Sequence, residues 1–532
     1  MLNHRPAALA RNGIVCAPHY LAAQAGLRLL QAGGNAVDAA IAASAALNVV
    51  YPILCGTGGD LFMLVWDAKS AGLHALDAAG RAGSRASIEA VRAAGHAAMP
   101  QRGAMAVSVP GVVDGWAMAS ERFGRLGLAA ALQPAIGYAE QGVPATPYLA
   151  ERLAFVARQP WIHQSWLDVY APRGRTPASG EILRVPELGR TLRLVAEQGR
   201  DVFYAGEVAA ATAAFLEREG GFVTRDDLAA HRGRWVEPLS IEFHGYSIYE
   251  MPPPTQGVTA LQALKLSEPL PLGPEPLDAT TVHMLVEAKK LAFADRAAQL
   301  ADPDCMRVAP AALLDEAYLA QRRRQIDPAQ AAVSPAAVSA GDTIYLCAAD
   351  GEGNAVSLIQ SNYMGVGSGL VVPGYGVELH NRGCFFSLDP THPNALGPGR
   401  QPLHTLIPSM AFKDGRPAVV FGTMGGDGQP QTHLQVYTAM LAYGLIEDPQ
   451  AAIELPRWVH GRGLPGDPPE LVLEGRFPAE TAARLRELGH EVTITEDWSS
   501  LMGHAHAITI DRQSGVLRGA ADPRADSLAA AW

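Results

Sequence analysis

A chain of 532 residues is long enough for several domains or for one large body with appendages. With 48% hydrophobic and 18% charged residues it is globular, which excludes a disordered, collagen-like or coiled-coil chain. Its 42 Lys and Arg against 53 Asp and Glu leave a net charge of −11, a balance that repels phosphate backbones and anionic bilayers, so neither nucleic acid nor a membrane is expected as a partner.

From Pro18 to Gln31 the leucine and alanine spacing predicts a helix that stops at Gly33-Gly34, and Asn35 then caps a second one over Ala36 to Val50. That second run spans 15 residues and carries Asp38 and Asn48, which makes it a buried core helix and not a membrane span, for which ~20 apolar residues are needed. The start MLNHRPAALARNG lacks a continuous apolar stretch, so a cytoplasmic location is expected. Strands are predicted over Leu61 to Trp66, Leu73 to Asp77 and Ala104 to Val109. Helices separated by Pro and Gly then fill Val112 to Leu319, with a long one at Val282 to Leu300.

From about Arg322 to Asp342 the pattern is that of a linker. A hairpin follows, Thr343 to Ala348 and Ala355 to Ser361, turning at Asp350 to Asn354. Later elements are strands at Thr405 to Phe412, Ala418 to Thr423, Val492 to Thr495 and His506 to Ile510, and helices at Pro430 to Leu445 and Ala479 to Leu488.

Several signatures fail. Ser368 has the wrong spacing for a hydrolase nucleophile elbow, and Gly461, Gly463 and Gly466 spell GxGxxG in a Pro-rich loop instead of between strand and helix. Cys16, Cys55, Cys305, Cys347 and Cys384 form no CxxC pair, so neither a disulfide framework nor a thiolate zinc site is indicated. His504 and His506 have no third ligand beside them, and no metal is expected. What remains is Gly341-Asp342-Thr343 at the end of the linker. Taken alone, Thr343 reads as a β-branched residue opening a strand. If the bond before it is cut, its freed amine, with a pKa of about 7.7 to 8.0, can serve as general base for its own hydroxyl.

The segments GGNAVDAA (Gly33 to Ala40), GTGGDLFML (Gly56 to Leu64), MPPPTQG (Met251 to Gly257), AFADR (Ala292 to Arg296), DGEGNAVSLIQSN (Asp350 to Asn362), GSGL (Gly367 to Leu370) and FGTMGGDGQ (Phe421 to Gln429) occur in this order. Through them the chain resembles the γ-glutamyltransferase family of N-terminal-nucleophile (Ntn) hydrolases. The resemblance implies an α+β fold, a four-layer αββα sandwich, made as a precursor and cut between Asp342 and Thr343. The products would be a large subunit, residues 1–342, and a small subunit, residues 343–532, interlocked in one body. It also implies Thr343 as nucleophile, Ser361 as the hydroxyl beside it, and Gly425 and Gly426 as oxyanion donors, where a Cβ would obstruct close backbone approach. Arg81, Tyr363, Arg382, His404, Thr405 and Asp427 are the expected substrate-binding residues, and no cofactor is required.

The departures bear on substrate. Where typical members place an Asp for the γ-glutamyl ammonium, this chain has Asn381-Arg382-Gly383-Cys384-Phe385-Phe386, and a cation suits a carboxylate instead. Arg81 is displaced by roughly two positions from the family's carboxylate-gripping arginine. The expected activity is hydrolysis or transfer of γ-glutamyl amides such as glutathione, with water or an amine as acceptor. The alternatives are an acylase taking a glutaryl or other carboxylated acyl group, and a non-catalytic scaffold.

Overall fold

The computed structural model describes residues 5–333, 342–462 and 470–532. Two seven-stranded sheets form its centre. One runs in the order Leu528–Ala531, Gly13–Ala17, Asp342–Asp350, Ala355–Tyr363, Asp60–Asp67, Gly72–Asp77, Arg234–Val236. The other runs Ala8–Ala10, Leu517–Ala521, Ala505–Ile510, Arg416–Thr423, Ser409–Lys413, Tyr246–Glu250, Leu239–Phe243. Residues before and after Thr343 contribute strands to both.

Side chains along each strand alternate between two cores. Phe62, Leu64, Tyr345, Cys347 and Ile359 meet Met410, Val420 and Ile508 of the opposite sheet. Their neighbours Leu61, Met63, Ile344, Leu346 and Leu358 pack outward with Ile41, Ala45 and Val49 of the helix Ala36–Val50. On the second sheet, Ala411, Val419, Phe421 and Ala507 face Leu261, Val286 and Leu434 of the helices Gly257–Ser267, Ala279–Gln299 and Gln429–Tyr437. The result is the expected αββα stack. Strands covered on both faces read as continuous apolar runs, which is why alternation is faint in the sequence.

The helix Ala36–Val50 begins as expected: Asn35 accepts from the amides of Val37 and Asp38, and Asp38 reaches back to the Asn35 amide. It is buried throughout because it lies between the sheet and further helices. Among the described residues no helix is long and apolar enough to cross a membrane.

Four expectations change. Ala104 to Val109 is not a strand: a short 3₁₀ turn at Ala104–Ala106 leads into an extended stretch whose Val109 amide donates to the Arg81 carbonyl. The segment read as wholly helical contains the hairpin Leu239–Phe243/Tyr246–Glu250, turned at His244 and Gly245 with φ of 47° and 77°. The strand expected from Thr405 starts at Ser409, because Pro408 has no N–H for a ladder. The expected linker opens inside the helix Glu316–Arg323, and Ala331 still donates to the Leu488 carbonyl. The remainder of that linker, 334–341, and Gly463 and Gly466 of the glycine loop lie outside the described residues.

Candidate active site

Thr343 is the second residue of the strand Asp342–Asp350 and is fully buried. Pairing with the neighbouring strand steps from Asp342 opposite Tyr363 to Ile344 opposite Gln360, so Ser361 and Asn362 together oppose the single Thr343. This bulge brings Ser361 Oγ to 3.1 Å from Thr343 Oγ1. Ser361 Oγ also accepts the Tyr363 amide at 2.7 Å. Two residues along, Tyr345 turns toward the opposite sheet, where a Cβ on Gly422 would meet its ring at 2.3 Å. By the same strand parity Thr343 faces the end of the strand Arg416–Thr423, where Met424, Gly425 and Gly426 follow.

Gly425 has φ 134° and Gly426 φ 55°. A Cβ on Gly425 would find only Gly503 Cα, at 3.7 Å, so within the protein it is the backbone conformation that demands glycine there. Among the described residues neither amide N–H meets an acceptor. The Gly426 carbonyl accepts from Gln256 Nε2 at 3.0 Å, and Asp427 pairs with Arg296 at 2.6 Å.

Arg382 is fully buried. Its Nη1 donates to Thr405 Oγ1 at 3.0 Å, and its guanidinium lies 4.3 Å above the Tyr363 ring and 5.5 Å from that of Phe385. Among the described residues its Nε and Nη2 have no hydrogen-bond partner. Burial lowers its pKa, opposed by the nearby Tyr363 and Asp60. Tyr363 itself has φ 76°, an uncommon backbone for a bulky residue and of the strained kind found at functional sites.

His404 does not join this group. Its Nε2 is 2.9 Å from Asp60 Oδ2, whose other neighbour, His380 Nδ1, is at 3.3 Å. Burial alone would raise the Asp60 carboxyl, but the two histidines prevail and hold it below the usual carboxylate range. Burial and then the Arg382 charge push His404 down to about 3, so it is neutral. Arg81 stands apart: its Nη1 binds Asp302 and the Gly399 carbonyl at 3.1 and 2.8 Å, and it lines a cavity of about 240 Å3 with Asp77, His231 and Arg234.

The contacts therefore join Thr343 to Ser361, and Arg382 to Tyr363 and Thr405, with Gly425, Gly426 and Asp427 on the facing strand end. Asp60, His380, Gln256 and Arg296 were missed, although GTGGDLFML, MPPPTQG and AFADR contain three of them. Among the described residues one cluster offers metal-type donors, His283, Glu287 and His490. Its members are engaged already: His283 Nδ1 and His490 Nε2 are 2.8 Å apart, and Lys290 Nζ is 2.7 Å from Glu287. His504 and His506 form no such cluster.

The double-sheet sandwich, with helices on both outer faces, is that of the Ntn hydrolases, and the chain is an amidohydrolase of that class. Residues 22–532 match the family described as gamma-glutamyltranspeptidase, and the chain belongs to that family. It is 41% identical to the glutathione hydrolase-like YwrD proenzyme of Bacillus subtilis, over 97% of this chain and 98% of that protein. It is 42% identical to the oxamate amidohydrolase proenzyme of Klebsiella pneumoniae, over 98% of each. The crystal structure of cephalosporin acylase from Bacillus halodurans superposes with a TM-score of 0.94 at 41% identity, covering 100% of this chain and 98% of that one.

Proposed function

We propose that the chain is a precursor cut between Asp342 and Thr343, and that the freed Thr343 hydrolyses amides whose acyl group carries a carboxylate and lacks a γ-glutamyl ammonium. Arg382 carries this reading. A buried guanidinium with two nitrogens unmatched among the described residues is costly, and a carboxylate is the planar anion that completes it. The γ-glutamyl alternative needs an anion for its ammonium. Asp427 is already paired with Arg296, while Glu378 accepts from Trp166 at 2.9 Å and burial holds its carboxyl well above the usual range. The similarity to a protein named for oxamate, an amide bearing a carboxylate, points the same way.

In maturation, Thr343 Oγ1 attacks the Asp342 carbonyl carbon, the peptide nitrogen leaves as the Thr343 amine, and water hydrolyses the resulting ester. In turnover, the same oxygen attacks the substrate amide and its proton passes through the amine to the leaving nitrogen. The N–H groups of Gly425 and Gly426 bind the oxyanion, and water releases the acyl group as a carboxylate. Ser361 Oγ, which takes the Tyr363 amide, stands where it can hold the new amine.

Wild type should run as two fragments on a denaturing gel, and Thr343→Ala as one inactive chain. Processed enzyme should cleave a glutaryl anilide with kcat/KM at least equal to that for the γ-glutamyl anilide. A strong γ-glutamyl preference that survives Arg382→Ala would overturn the acyl-group assignment, and activity in an uncut chain would overturn the terminal-threonine mechanism.

A further inference from the structure

Two sequence landmarks have no role in the mechanism above, MPPPTQG with Gln256 and AFADR with Arg296. Both side chains end at the glycine turn. Gln256 is fully buried; its Nε2 donates to the carbonyls of Thr405 at 2.9 Å and Gly426 at 3.0 Å, and its Oε1 accepts from Arg296 Nη1 at 2.7 Å. The same Arg296 nitrogen lies 2.6 Å from Asp427 Oδ1. Because a guanidinium only donates, Arg296 dictates which end of the Gln256 amide faces the two carbonyls. The backbone of Gln256 is tied in as well, its amide donating to the His404 carbonyl at 2.9 Å.

A turn of two consecutive glycines has little intrinsic preference for direction, and a flipped peptide would aim a carbonyl where an N–H is needed. In a trans peptide the N–H points opposite to the C=O, so fixing carbonyls fixes amides. The Met424 carbonyl accepts from Thr423 Oγ1 at 2.8 Å, which directs the Gly425 N–H. The Gly425 carbonyl accepts from the Gly428 amide at 2.8 Å, which directs the Gly426 N–H. The Gly426 carbonyl, held by Gln256 170 positions away in sequence and on the other side of Thr343, belongs to the next peptide, Gly426–Asp427; holding it anchors the end of the turn to which the Gly425–Gly426 peptide is joined.

We propose that Gln256 and Arg296 are positioning residues for the oxyanion turn: they hold the Gly426 carbonyl and Asp427 so that both glycine N–H groups stay aimed at the reacting carbonyl. This rests on the assignment of Gly425 and Gly426 as oxyanion donors. Through the Thr405 carbonyl, Gln256 also ties the turn to the segment whose hydroxyl holds Arg382, so the two halves of the substrate site keep one spacing.

The test uses processed enzyme, with kcat normalised to the cleaved fraction and the best anilide of the glutaryl and γ-glutamyl pair as substrate. Gln256→Met should lower kcat by about 10- to 100-fold with KM within about threefold, the signature of a contact that matters in the transition state. Arg296→Lys, which keeps a donor for Gln256 and Asp427, should lose about three- to tenfold. Because Gln256 acts through the turn, Gln256→Met combined with Gly425→Ala should fall no more than about threefold below the worse single variant. If the losses multiply, or if Gln256→Met and Arg296→Lys both keep kcat within twofold of wild type, the proposal is wrong. Should Gln256→Met fail to fold, Arg296→Lys decides alone. A normal kcat in Gly425→Ala would instead remove the turn from the mechanism, which separates failure of the catalytic reading from failure of this inference.

Discussion

Arg382 lies fully buried between Tyr363 and Phe385 with two guanidinium nitrogens unmatched, whereas Arg81, its side chain 40% exposed, spends its charge on Asp302 and the Gly399 carbonyl. Both occupy places where the sequence leads one to expect a substrate-binding cation. Burial without partners opposes stability and is retained where a ligand completes the pairing. A bridge from a half-exposed arginine to the buried Asp302 carboxylate is instead a way to tether a loop. We read the contrast as substrate recognition by the first arginine and loop anchoring by the second.

The contrast breaks most visibly at Arg382 itself. Arg382→Met should lower kcat/KM for a glutaryl anilide about 30- to 1,000-fold, in line with truncating one partner of a buried charge pair. The melting temperature should stay level or rise, because an uncompensated buried cation is removed. Normal turnover with a large fall in melting temperature would make Arg382 a structural residue.

A smaller effect is expected one contact away. Thr405→Val deletes the acceptor of Arg382 Nη1 and leaves the cation free to swing. KM should rise about three- to tenfold with kcat nearly unchanged, a loss of uniform binding. A fall confined to kcat would place Thr405 in the chemistry instead.

The buried histidines should also carry a pH signature. Burial lowers His404, His433 and His506 to about 3. The unfolded chain protonates each as pH falls through about 6.5, while the native chain resists until about 3. The unfolded state therefore binds more protons across that window, and the stability present above pH ~6.5 drains away as pH falls toward 3. Melting temperatures measured from pH 7.5 down to 4.5 should decline steadily, and a flat profile would show these rings to be solvated.

The smallest effect belongs to Arg81. Arg81→Met should leave kcat/KM within about twofold and shift the melting temperature by no more than a few degrees. A tenfold loss of activity would move a substrate contact into the cavity beside Asp77 and His231 and cancel the distinction between the two arginines.

What the sequence by itself determined is local or carried by motif. The Asn35 cap with its apolar helix, the hairpin that begins at Thr343, the Gly425-Gly426 pair after a strand, and the arginine in place of an acid at Arg382 are all set by neighbours within a few positions. The fold class was legible through the ordered series of motifs. Tertiary structure alone decided the rest. Strands covered on both faces carry too little alternation to reveal their partners, so the hairpin Leu239–Phe243/Tyr246–Glu250 and the order of both sheets could not be read. His404 was brought to Asp60, 344 positions away, and Gln256 to Gly426 across 170. No helical or strand period links such positions. Whether a charged side chain ends buried and only partly matched, like Arg382, or half-exposed and paired, like Arg81, depends on which distant segments pack over it, and only the folded chain sets that.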